Sequence, residues 1–143
     1  MIKIQHSMTI RRPVADVFAF LSDVANEPKW QEGVVSASVT SPGPLGVGSE
    51  AAETRKFLGR DMISKYKITA YEPNKALAFK VTEGPVPFEV SETFEADGDD
   101  TKVSFTLQGE PGGFFKLAEG MVRKQLETQI TGDFERARKL LEN

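Results

Sequence analysis

Cysteine is absent from this 143-residue chain, and histidine and tryptophan occur once each. Without thiols there is no disulfide, no thiolate metal site and no cysteine nucleophile. A single histidine cannot supply a histidine metal cluster, so no metal or other cofactor is expected. No apolar run approaches the roughly 20 residues that span a bilayer, and the opening Met1-Ile-Lys-Ile-Gln-His6 lacks the apolar stretch of a secretion signal. Neither sign of charge dominates: 18 Lys and Arg against 21 Asp and Glu leave a net charge of −3, which argues against a nucleic-acid partner. The expectation is a cytoplasmic protein, monomer or homodimer, without integral membrane association. Its length suits one domain over residues 1–143, with a core that needs no staples.

What is present is phenylalanine, ten of the thirteen aromatic residues, spread over the whole chain. Residues 2–10 alternate, with Ile2, Ile4, His6, Met8 and Ile10 on one face, which predicts a half-buried strand. Pro13 followed by Val14, Val17, Phe18 and Leu21 predicts a short helix, and Asn26–Gln31 a second short helical turn ended by Gly33. Further strands are predicted at 34–40, 48–58, 61–71, 76–83, 87–95 and 101–109. Gly59-Arg60, Glu72-Pro73-Asn74, Gly84-Pro85 and Asp97-Gly98-Asp99 separate them with turn chemistry. After Gly112-Gly113 one long helix is expected, with an apolar stripe from Phe114 through Leu117, Met121, Leu126 and Phe134 to Leu141. Gly120 and Gly132 are its candidate bends. The order predicts an α+β fold: a seven-stranded curved antiparallel sheet around a long C-terminal helix, with two short helices after strand 1. One helix cannot cover a flat sheet of that width, so the sheet must curl, leaving a cavity between sheet and helix.

A turn centred on Gly59-Arg60 pairs Phe57 with Met62, Arg55 with Ser64 and Glu53 with Tyr66. This sets those residues, with Ile68, on the inner face and Lys56, Lys65 and Lys67 outside. Alternation carries Phe79, Phe88, Glu92 and Phe105 inward as well. The expected ligand-binding set is therefore His6, Glu53, Arg55, Tyr66, Phe79 and Phe88, with Glu92 and Phe105 from the later strands. Met121 and Gln125 of the long helix complete it. Apolar walls with a few placed polar groups suit an amphipathic ligand, and Arg55 is expected to pair with Glu53 or Glu92 because buried charge is costly alone.

Taken in order, Ile10-Arg-Arg-Pro-Val-Ala-Asp-Val-Phe18, Leu21-Ser-Asp23, Trp30-Gln-Glu-Gly33 and Leu45-Gly-Val-Gly48 resemble the START-like, or SRPBCC, superfamily. Tyr71-Glu-Pro73, Leu77-Ala-Phe79 and Thr101-Lys-Val103 continue the likeness, which is to the polyketide cyclase/dehydrase branch and runs over essentially the whole chain. The resemblance implies a helix-grip fold and a cavity for lipids, polyketides or other hydrophobic molecules. It implies no shared catalytic motif.

Each polar candidate has a plainer alternative. His6 is a general acid–base or a satisfied core histidine; Glu92 is a raised-pKa carboxyl in the cavity or a partner for Arg55. Glu53 and Arg55 orient a substrate or form a structural ion pair, and Tyr66 bonds a ligand or is ordinary core. The leading function is binding, sequestration or transport of a small hydrophobic or amphipathic molecule. The alternatives are a cyclase or dehydratase using His6, Glu92, Arg55 and Tyr66, and a protein-interaction module, for which only Ile63 and Tyr71 stand among the lysines of one outer strand.

Overall fold

Alternation in the first ten residues becomes strand β1 (Ile2–Ile10), with Ile2, Ile4 and Ile10 buried and Lys3, Gln5, Ser7 and Thr9 exposed. The structure is a computed structural model and describes residues 1–57, 59–84 and 87–143. The expected Gly84-Pro85 turn, and the inward places of the Phe57 and Phe114 side chains, fall outside what it describes. Strands β2 (Val34–Val39), β3 (Glu50–Phe57), β4 (Arg60–Glu72), β5 (Ala76–Glu83), β6 (Phe88–Asp97) and β7 (Asp100–Gly109) form an antiparallel meander. The sheet order is β1-β7-β6-β5-β4-β3-β2. β1 and β2 are consecutive in sequence yet form opposite edges, so the chain between them must cross the sheet. Helices α1 (Val14–Ser22) and α2 (Glu27–Trp30) make that crossing.

The β3–β4 register is displaced by two residues from the expected one. Arg55 pairs with Met62 and Glu53 with Ser64, and Gly59 lies between the strands at a φ of +76° where a side chain would be strained. Faces repeat every two residues, so this displacement leaves the inward assignments of Glu53, Arg55, Tyr66 and Ile68 intact. A bulge between Ile68 and Ala70 does change a face. It turns Tyr71 inward, where its ring meets Phe18 edge-on at 5.5 Å, so Tyr71 belongs to the core and not to an outer patch.

α1 starts on the Pro13 carbonyl, which accepts from the Asp16 and Val17 amides, and buries Val17, Phe18 and Leu21. The C-terminal helix is broken: α3 (Phe114–Leu117) ends at Ala118, which leaves helical geometry at φ −108° and ψ 28°, and α4 (Glu119–Glu142) follows. The break lies at neither Gly120 nor Gly132. On both sides of it the expected stripe fails: Leu117 is 91% exposed and Met121 55%. From Val122 the stripe holds through Leu126, Phe134, Ala137 and Leu141. Each of the larger side chains contributes about 1.5–3 kcal/mol by burial. Arg12 Nη1 donates to the Leu141 carbonyl at 2.6 Å, tying the end of α4 to the start of α1. Among the described residues no helix is long and apolar enough to cross a membrane.

Candidate functional site

Between the inner face of the sheet and α4 lies a cavity of about 150 Å³, closed at one side by α1 and α2. Its apolar wall comes from Ile68, Leu77, Phe79, Val90, Phe105 and Leu126. Alternation delivers the sheet members of that wall, and the 3.6-residue period of α4 delivers Leu126. Trp30 of α2 packs on Phe134 of α4 with ring centroids 5.2 Å apart, and Phe134 meets Phe105 at the same distance.

Polar groups gather where α2 faces β3 and β4. Arg55 Nε donates to Glu53 Oε1 at 3.1 Å, and its Nη2 donates to Gln31. Burial works against the Arg55 charge, but Glu53 outweighs it and holds the guanidinium above its ordinary pKa. The Tyr66 hydroxyl donates to both carboxyl oxygens of Glu27, at 3.1 and 3.3 Å. Burial, reinforced by Glu53, pushes the Glu27 carboxyl well above the usual carboxylate range, and burial beside Glu27 raises the Tyr66 phenol too. Asp133 of α4 accepts from the Glu32 amide at 3.0 Å and from Arg136 at 3.3 Å; burial still raises its pKa.

Glu92 stands apart. It is 4% exposed, lines the cavity and receives no hydrogen bond among the described residues. Burial alone pushes its carboxyl up to about 8, so it is mostly protonated at neutral pH. It does not pair with Arg55, which is taken by Glu53 and Gln31. Trp30 Nε1 and Gln129 Oε1 are also buried without partners among the described residues.

Of the residues expected at the site, Glu53, Arg55, Tyr66, Phe79, Glu92 and Phe105 line this cavity. Four do not. His6 is on the inner face, but the Phe134 ring covers it at 5.5 Å and its Nε2 has no partner among the described residues. Phe88 packs into the core at the far end of β6, opposite Gly109. Met121 and Gln125 are exposed, because the helix break at Ala118 and the packing of Val122 and Leu126 turn them outward. Glu27, Gln31, Gln129 and Asp133 were not expected. Asp133 had a readable signal, since it interrupts the stripe between Ile130 and Ala137; Glu27 sits in a helix too short to show a period.

Gly33 fixes how closely α4 approaches this end of the sheet. Its carbonyl accepts from the Lys56 amide at 2.7 Å, and a Cβ there would lie 2.5 Å from Gln129 Nε2 and 3.0 Å from the Lys56 carbonyl oxygen. Gln129 can swing away; the strand backbone cannot. Gly33→Ala is expected to cost about 1–3 kcal/mol, measured as a lower urea midpoint, and an unchanged midpoint would contradict the close approach.

A curved antiparallel sheet gripping a C-terminal helix, with an apolar cavity and a polar end between them, defines a helix-grip protein. The chain belongs to the family described as polyketide cyclase / dehydrase and lipid transport, which matches residues 1–142. Solved structures agree on the fold. The Zhui aromatase/cyclase from Streptomyces sp. R1128 superposes with a TM-score of 0.82 at 15% identity, covering 98% of this chain and 93% of that one. A START superfamily protein from Mycobacterium smegmatis gives 0.73 at 15% identity over 95% and 99%. The protein TTHA0849 from Thermus thermophilus gives 0.75 at 19% identity over 94% and 96%. No curated protein is a significant match.

Proposed function

We propose that the whole chain, residues 1–143, is one unit that binds, sequesters or carries a small hydrophobic or amphipathic molecule, lipid- or polyketide-like, between the sheet and α4. The observation that carries this is the cavity itself: a partly open space of about 150 Å³, walled by aromatic and aliphatic side chains, with polar groups at one end. Water needs about 10–15 Å³ on the same measure, so the space accommodates a ligand group of on the order of ten non-hydrogen atoms. Family membership supports the reading, the cysteine-free composition suits a cytoplasmic location and the acidic balance suits a protein without a nucleic-acid partner; we take it to act as a monomer or homodimer. The test is protein-observed NMR with 2-phenylethanol, together with native mass spectrometry of the purified protein. Shifts confined to Ile68, Leu77, Val90 and Leu126 are expected. If no compact apolar molecule perturbs these residues and none co-purifies, the reading fails.

One observation favours a second reading, a cyclase- or dehydratase-type enzyme. Glu92 keeps its proton at neutral pH inside an apolar cavity, the state a general acid needs. Arg55 and the Tyr66–Glu27 pair would polarise a carbonyl; His6 is not in this constellation. If Glu92→Gln leaves turnover of an aromatic polyketide substrate unchanged, this reading is lost.

A further inference from the structure

We infer that the cavity's occupant carries a basic nitrogen, held as an ammonium against the Glu92 carboxylate inside an aromatic enclosure. This rests on the binding reading above and narrows it to compact aromatic or alicyclic amines.

Charge complementarity comes first. Four carboxyl groups line the cavity, from Glu27, Glu53, Glu92 and Asp133, against one guanidinium, Arg55. The guanidinium is engaged by Glu53 and Gln31, so an anionic ligand meets an acidic wall whose cation is already paired. Glu27 has the Tyr66 hydroxyl, and Asp133 has the Glu32 amide and Arg136. Glu92 is left without a donor among the described residues; Gln129 Oε1 is a second unpartnered acceptor on the wall, against one unpartnered donor, Trp30 Nε1. An ammonium is all donor, which is what unpartnered acceptors lack.

The rings come second. Glu92 on β6 pairs across the sheet with Phe105 of β7, and a chain of rings in edge-on and tilted contact runs from Phe105 to Phe134 to Trp30. Aromatic rings beside a carboxylate attract a desolvated cation through the ring quadrupole. Binding is then an exchange in which the ammonium enters, Glu92 gives its proton to solvent, and an ammonium–carboxylate pair remains. The other ionisable groups facing this space are Glu27 from α2, Glu53 and Arg55 from β3, Tyr66 from β4 and Asp133 from α4. His6 of β1 lies beyond Phe105.

Isothermal titration with 2-phenylethylamine, 2-phenylethanol and phenylacetate tests this, run at pH 7 in phosphate and in Tris. The amine is expected to bind at least about ten-fold tighter than the alcohol, phenylacetate weakest, with close to one proton released per amine. In Glu92→Gln the amine loses at least about ten-fold while the alcohol keeps its affinity, which also shows that the variant folds; Glu92→Met is the second check. Equal binding of amine and alcohol, or an equal loss of both in the variants, would overturn the inference and leave the binding reading standing. Absence of binding by all three, with the cavity resonances unmoved, removes the binding reading and this inference with it.

Discussion

Glu92→Gln is expected to stabilise the protein at alkaline pH and to change little at pH 5. The carboxyl is 4% exposed with no hydrogen-bond partner among the described residues, and burial raises its folded-state pKa to about 8 from an ordinary value of 4.5. Between those values the folded state holds a proton that the unfolded state has released. Stability therefore falls as pH rises through the window from about 4.5 to about 8, and it is flat outside it. The full span corresponds to about 3–5 kcal/mol, an upper bound because water entry and relaxation soften the penalty. Glutamine is neutral throughout and removes this dependence. At pH 9 the variant's thermal midpoint should exceed the wild type's by roughly 5–10 °C, with near-coincidence at pH 5. Glu27, raised for the same reason, leaves the variant a residual slope of the same sign. Parallel pH profiles for the two proteins would show that Glu92 is not held protonated by the fold.

The residues that carry this behaviour were unequally legible in the sequence. Glu92 was, because strict alternation along Phe88, Val90, Glu92 and Phe94 puts an acid in an apolar row, and that row is buried inward. Period-two logic also survived the wrong turn at β3–β4, since a two-residue displacement preserves faces. It failed at the β4 bulge, where neither glycine nor proline marks the extra residue and Tyr71 changes side. The helical period failed near the break at Ala118: extrapolated through it, the period assigns Met121 and Gln125 to a cavity they do not reach. His6 is on the correct face, yet the site lies toward β3–β6, because Phe134 closes α4 onto β1 and β7 and covers His6. Glu27 required tertiary information. Nothing in the four residues of α2 tells which side chain will meet a tyrosine 39 positions later.

Phe134→Ala is expected to be the most damaging single truncation in the core. The ring is 2% exposed and stands between three others, with centroids 5.5 Å from His6, 5.2 Å from Trp30 and 5.2 Å from Phe105. It is the contact through which α4 is held at once to β1, β7 and α2. Removing a buried phenylalanine ring costs about 3–5 kcal/mol, from lost burial and from the void that remains. Against a total of about 5–15 kcal/mol for an ordinary domain, that leaves the variant near unfolding at 37 °C. Phe134→Leu keeps most of the volume and loses the ring contacts, so a loss of about 1–2 kcal/mol is expected. The measurement is urea denaturation with unchanged m-values and midpoints in the order wild type, Leu, Ala. At low temperature the alanine variant, if folded, should also admit a bulkier ring such as naphthalene, because the space it opens adjoins the cavity that Phe134 lines. A loss below about 1 kcal/mol for Phe134→Ala would mean that α4 is held to the sheet elsewhere, and that the void can collapse around His6.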